Sequence, residues 1–188
     1  QITLFDERGA MVASSRVGTP RVEIPKDAQL TINGVSMSAI RVDEDLLPTS
    51  VFAIRLTRLN QPSGWLAGEF SLEEMWRMVD LIRIGDHGFA MVVAPGGELV
   101  AHGDPDKKAF VAQMRNMSGH QLFAAARTRQ DATPVSREYA DDDGRSQLGV
   151  AARIAQLGWT VIVEQPIREA YASAAALQRE LVVAISLA

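Results

Sequence analysis

The sequence predicts an α+β protein made of two tandem copies of one unit, each an antiparallel sheet flanked by helices. Three observations carry this. A hairpin pattern near the N-terminus recurs 88 residues later, from Gly9 to Gly97. A second hairpin pattern recurs with 94 residues between its tryptophans, Trp65 and Trp159. A helix pattern follows each second hairpin. Apolar runs broken by glycine turns read as hairpins, and a change to helical spacing marks the element after them. The 188 residues suffice for one large domain or two small ones, and 47% apolar with 22% charged residues describes a chain that can bury a core.

The first copy opens with Ile2-Thr-Leu-Phe5, turns at Gly9, and returns through Met11-Val-Ala-Ser14. Its counterpart runs from Ala90-Met-Val-Val93 through Gly97 to Leu99-Val-Ala-His102. Glycine supplies the positive φ that such turns need. Residues 16–47 read as a loop-rich insert carrying Pro20 and Pro25. Val51–Arg58 and Trp65–Phe70 then read as a strand pair, followed by a helix from about Leu72 to Ile82. Ser71 and Glu74 have capping-box spacing at its start. Gly85-Asp-His-Gly88 leads into the second copy. There the insert, 103–137, carries helix patterns around Lys108–Asn116 and His120–Arg127. Leu148–Ala155 and Trp159–Glu164 read as the second strand pair, and Pro166 opens a helix where proline fits. The expected division is 1–84 and 85–180, with the apolar stretch 181–188 apart. That stretch reads either as the start of a transmembrane helix or as an amphipathic C-terminal helix. One copy alone would be a marginal domain, which fits a tandem pair.

Little chemistry accompanies this architecture. Cysteine is absent, which excludes thiolate zinc sites, disulfides and a thiol nucleophile. A net charge of −4 gives no bulk attraction to nucleic acid. No phosphate-cradling glycine loop or nucleophile elbow is present, and His87, His102 and His120 lack metal-site spacing. No catalytic residue, metal or cofactor is expected. Asp141-Asp-Asp-Gly144 lacks the alternating ligands of a calcium loop and reads as a hairpin turn. No apolar run reaches the about 20 residues that a membrane-crossing helix needs.

Inserts draped over a sheet are the usual home of a ligand pocket. The candidate binding residues are therefore Arg41, Arg55 and Glu69 in the first copy, with His102 and Tyr139 for any site in the second. Arg55 shares a strand face with Val51 and Ala53. A guanidinium there needs an anion, either Glu69 on the next strand or a ligand carboxylate. His102 ends a strand and either lines a pocket or bonds to the loop at Gly103–Pro105. The two tryptophans sit at strand heads, where core or rim packing is their expected role.

The stretch from Phe70 to Gly85, then Gly88-Phe-Ala-Met-Val-Val93, Gly97-Glu-Leu-Val-Ala-His-Gly-Asp104 and Leu157-Gly-Trp-Thr-Val-Ile-Val-Glu-Gln-Pro166, resembles double Cache domains. These are the tandem PAS-like extracellular sensors of bacterial histidine kinases, nucleotide cyclases and chemoreceptors. The resemblance covers nearly the whole chain, and the second copy matches best. It implies a membrane-distal and a membrane-proximal unit on a long N-terminal helix, which this sequence lacks. It further implies flanking transmembrane helices, with 181–188 entering the second, a homodimer, and a small-molecule ligand. The implied setting is the periplasmic or extracellular domain of an inner-membrane protein. A sensor histidine kinase is the first expectation for the full-length protein, with this domain itself not an enzyme. A diguanylate cyclase, a chemoreceptor or a pocketless protein-docking module are the alternatives. In amino-acid-binding members the ligand carboxylate is gripped from the N-terminal helical segment, and 16–47 shows no equivalent, so that recognition is not carried over.

Overall fold

The computed structural model describes residues 1–17, 22–26, 30–42, 48–129, 131, 133–141 and 143–172. Packing divides them into two compact units, Gln1–Met75 with Gln156–Gly158, and Trp76–Ala155 with the chain from Trp159 onward. The stretch 181–188 lies outside the described residues. No described helix is long and apolar enough to cross a membrane.

The first unit is an antiparallel sheet of seven described strands. They are β1 (Ile2–Phe5), β2 (Met11–Ser14), β3 (Leu30–Ile32), β4 (Val35–Met37), β5 (Arg41–Val42), β6 (Pro48–Arg58) and β7 (Gln61–Ser71). The order is β2-β1-β7-β6-β4-β3, with β5 also paired to β6. The insert is thus less loop-like than its prolines predict. Asn33 and Gly34 both take positive φ, 49° and 81°, the pairing that a two-residue hairpin turn demands, and they fold β3 onto β4. Helix α1 (Glu73–Leu81) follows β7. Ser71 Oγ accepts the Glu73 amide at 3.1 Å, one residue earlier than a capping box would have it.

The second unit contains β8 (Phe89–Val93), β9 (Leu99–His102), a 3-10 turn at Pro105–Lys107, α2 (Lys108–Ala112), α3 (Gln121–Thr128), β10 (Val135–Ala140), β11 (Ser146–Ile154), β12 (Trp159–Pro166) and α4 (Ile167–Ala170). Its sheet order is β10-β11-β12-β8-β9. Helix α2 is shorter than its sequence pattern predicts, and Met114 beyond it takes φ 47°. Leu122 and Phe123 of α3 are 0% and 1% exposed and pack against Ile162, Ala151 and Val135 of the sheet. Each such side chain contributes about 2–3 kcal/mol through burial.

The duplication holds at the level of register. β2-β1-β7-β6-β4 repeats as β9-β8-β12-β11-β10. In the first hairpin Thr3 faces Ser14 and Phe5 faces Met11, with a bulge between; 88 residues on, Met91 faces His102 and Val93 faces Leu99, with the same bulge. The second hairpins are related by a different offset. Thr3 faces Ala67 and Met91 faces Ile162, which sets it at 95 rather than 94. A one-residue slip moves every side chain to the other face. Trp65 and Trp159 are therefore not counterparts. Trp65 stands on the face that Phe5, Val51 and Ala67 share, packed by Val22 and Ile24 of the insert. Trp159 stands on the opposite face of its own sheet, 6% exposed, and Thr160 takes the place that matches Trp65.

Candidate functional site

The corrected register aligns Glu69 on β7 with Glu164 on β12. Both point to the insert-covered face of their sheets. In the first unit Glu69 stands opposite Val51, and Arg41 of β5 opposite Thr49. Arg41 Nη2 donates to Glu69 Oε1 at 3.3 Å, with the two side chains 50% and 21% exposed. Val22 is 1% exposed and packs with Phe5, Val51, Ala53 and Ala67 on this face, so the insert does lie over the sheet here. Hydroxyls fill out the surroundings. Ser38 Oγ accepts the Val51 amide at 2.9 Å, and Gln1 Nε2 donates to Ser14 Oγ at 3.0 Å.

Arg55 does not join this pair. It is exposed and lies over the Trp65 ring, its guanidinium carbon 5.4 Å from the ring centroid. The reason is register: Arg55 is directly opposite Trp65. Glu69 lies four residues further along the same strand, roughly 13 Å away at strand rise. Arg41 and Glu69 are thus brought together, and Arg55 is left on an aromatic face.

In the second unit the position of Val51 is taken by Gly149, which faces Glu164. A Cβ there would stand 2.3 Å from Leu122 Cδ1, 3.3 Å from Tyr139 Cε1 and 3.4 Å from Glu164 Cγ. The missing side chain therefore lets α3 settle on the sheet and lets Tyr139 cross β11. The Tyr139 hydroxyl donates to Glu164 Oε1. His120, the residue that precedes α3, places Nε2 2.9 Å from the same oxygen and 3.2 Å from the tyrosine hydroxyl. Glu164 is 4% exposed and His120 15% at the side chain. Among the described residues, His120 Nδ1 is buried with no hydrogen-bond partner, as is Gln147 Oε1 nearby on the same face. Where the first unit leaves a carboxylate within reach of water, the second fills the same place with its own side chains.

His102 stands beside this cluster. Its ring stacks on Phe89 with centroids 4.7 Å apart, and Phe89 faces Glu164 across the strand pair. Nδ1 accepts the Asp104 amide at 3.0 Å, so His102 bonds to the following loop, and that nitrogen carries no proton. Burial pushes the imidazole pKa down to about 4, against the smaller opposing pull of Asp104 and Glu164. Of the candidates, His102 and Tyr139 therefore share one buried neighbourhood, centred on Glu164. Sequence reasoning missed Glu164 and His120. Aligning β12 to β7 through the tryptophans sets Glu69 against Val163; only the hairpin register sets it against Glu164. Among the described residues, no group of three or more His, Cys, Asp and Glu side chains is placed to hold a metal ion. An open depression of about 460 Å³ lined by Asp6, Arg58 and Ser63 lies at the β1–β2 and β6–β7 turns, among hairpin tips and away from both carboxylates.

No family model and no curated protein matches the sequence. Solved structures do match. The extracellular domain of mmHK1S-Z3, assigned as a histidine kinase, superposes with a TM-score of 0.61 at 19% identity over 75% of this chain and 52% of that one. The ligand-binding domain of Mlp24 with asparagine gives 0.61 at 14% identity, over 92% and 70%. The ligand-binding domain of the Pseudomonas fluorescens chemoreceptor CtaA with L-leucine gives 0.61 at 20%, over 90% and 72%. The chain spans about half of the first of these domains, 52%, and about seven tenths of the other two. It shares their fold: two antiparallel sheets with a few helices.

Proposed function

We propose that this chain is the extracytoplasmic sensing domain of a bacterial transmembrane receptor, a sensor histidine kinase before other outputs, and that its first unit binds a small solute at Glu69 and Arg41. The observation that supports this most is the contrast between equivalent positions. Among the described residues Glu69 keeps a single charged partner, with partial exposure, whereas Glu164 is consumed by the fold. A binding carboxylate must be reachable, and Arg41 with Glu69 offers one group of each sign on the insert-covered face. A zwitterion matches that pair, its ammonium toward Glu69 and its carboxylate toward Arg41. Similar domains hold asparagine and L-leucine, which makes amino acids the first solutes to test.

Signalling requires that the solute favour one arrangement of the insert over another, since equal affinity for two states shifts nothing. In this reading the change passes through β12 and α4 toward a membrane anchor, in a homodimer. A chemoreceptor output is the second reading, favoured by the likeness to the CtaA domain. The test is the melting temperature of the 188-residue chain across a panel of amino acids and small amines. A solute at about a hundredfold excess over its Kd stabilises by about 2.7 kcal/mol, a clear rise in midpoint. That rise should vanish in Arg41→Ala and in Glu69→Gln. No response to any solute, or a response that survives both substitutions, overturns the assignment.

A further inference from the structure

The side chains that flank Glu69 and Glu164 on the first-hairpin side of each sheet differ in kind. The first hairpin and its copy 88 residues on correspond residue by residue, so Gln1, Thr3 and Ser14 match Phe89, Met91 and His102. In the second unit Phe89 faces Glu164 and its ring stacks on His102, which walls that carboxylate with aromatic carbon. In the first unit Gln1 stands where Phe89 would be. The Glu69 amide donates to the Gln1 carbonyl at 2.8 Å, and the register of β1 on β7 puts both side chains on the insert-covered face. Gln1 Nε2 donates to Ser14 Oγ at 3.0 Å, and Ser14 Oγ lies 3.3 Å from Thr3 Oγ1. The wall beside Glu69 is thus a chain of hydrogen-bonding groups. Ser14 holds Gln1 Nε2, which turns the amide oxygen Oε1 away from Ser14. Gln1 and Ser14 are both partly buried, and Thr3 beneath them is 0% exposed.

Strand order limits where the rest of a solute can lie. Arg41 reaches Glu69 from the β6 side, whereas Gln1 and Ser14 stand on the other side of Glu69 in the order β2-β1-β7-β6. Toward Trp65 the floor is closed by Val22, packed on Val51, Ala53 and Ala67. An amino acid with its ammonium on Glu69 and its carboxylate on Arg41 therefore carries its side chain toward Gln1. A hydroxyl or carboxamide can hydrogen-bond there. An aliphatic group of the same shape dehydrates the Gln1 amide without bonding to it.

We propose that the first unit selects solutes with a small hydroxyl or carboxamide side chain, that Gln1 is the residue that reads this group, and that Ser14 positions Gln1. The inference rests on the reading of Arg41 and Glu69 as the binding pair. The selectivity is modest, because Gln1 and Ser14 still bond to each other when an aliphatic side chain sits beside them.

Calorimetric titration of the 188-residue chain with two size-matched pairs, threonine against valine and asparagine against leucine, tests it. The polar member of each pair should bind about tenfold tighter, the effect of one or two neutral hydrogen bonds. Gln1→Leu should bring both ratios to about one or invert them. Ser14→Ala should shrink them to about threefold or less, and Ser14→Thr, which keeps the hydroxyl, should restore them. The readout is a ratio, so a loss of stability that weakens all four solutes alike leaves it unmoved. Equal or aliphatic-favouring affinities, or a polar preference that Gln1→Leu leaves intact, overturn the inference while the Arg41–Glu69 pair stands. So does failure of all four to bind when another solute still binds through that pair. Silence from every amino acid and amine removes the pair itself, and the inference with it.

Discussion

Glu69 and Glu164 occupy one position in two sheets of the same strand order, yet they lead different lives. Glu69 is half of a solvent-touched ion pair with Arg41. Glu164 is the centre of a buried triad. The backbone register places both carboxylates; their neighbours decide what each can do. Across from Glu69 stands Val51, 2% exposed, which packs under Val22. Across from Glu164 stands Gly149, whose empty place admits Tyr139 and Leu122. Duplication preserves where a charge stands, and side-chain volume across the strand pair sets whether that charge is available.

The sharpest way to break this comparison is to delete each carboxylate in turn. Glu164→Leu strands the tyrosine hydroxyl and the imidazole N–H without an acceptor, and should cost about 2–4 kcal/mol in urea denaturation. Glu69→Leu leaves Arg41 able to turn to water and should cost under about 1 kcal/mol. Equal costs would erase the distinction. The next test is acidification. Neutral His102 is buried, with its pKa at about 4 against an ordinary 6.5. The unfolded chain takes up that proton first, so the second unit should lose on the order of 3 kcal/mol as pH falls through this window, and none of it above the window. His102→Gln should remove that slope, whereas an unchanged slope would place the acid sensitivity elsewhere. A further small effect belongs to the first hairpin. Asp6 Oδ1 accepts the amides of Arg8 at 2.9 Å and Ala10 at 2.8 Å. Its counterpart Ala94 closes the same backbone turn with no side-chain help. Asp6→Ala should therefore cost only about 0.5–1.5 kcal/mol, read as a modest drop in denaturation midpoint.

Much of the fold is legible in the sequence because turns and periods are local. The Gly9 and Gly97 turns, the strand pairs and the short helices of 103–137 all stand near where their residues predict. The hairpin at Asn33-Gly34 was equally local and could have been read from its two turn residues. The site is less legible because it depends on register, and register is a property of pairs of strands. Tryptophans at 65 and 159 invite alignment by identity, but one residue of slip puts them on opposite faces and hides the kinship of Glu69 with Glu164. Arg41 and Glu69 were recognisable as candidates, yet nothing local says that Arg41 rather than Arg55 reaches the carboxylate. That follows from β5 pairing beside Thr49 while Arg55 faces Trp65.

Gly149 carries a consequence for how such paired modules diverge. Glycine and valine codons differ by a single base, and valine is what the first unit has at this place. A Cβ at Gly149 would stand 2.3 Å from Leu122 Cδ1, so valine there would force Leu122 to give way beside the carboxylate. After a gene duplication, receptacle and staple lie a single codon apart. Which half of an ancestral tandem keeps an open floor can be settled by the smallest step that evolution takes.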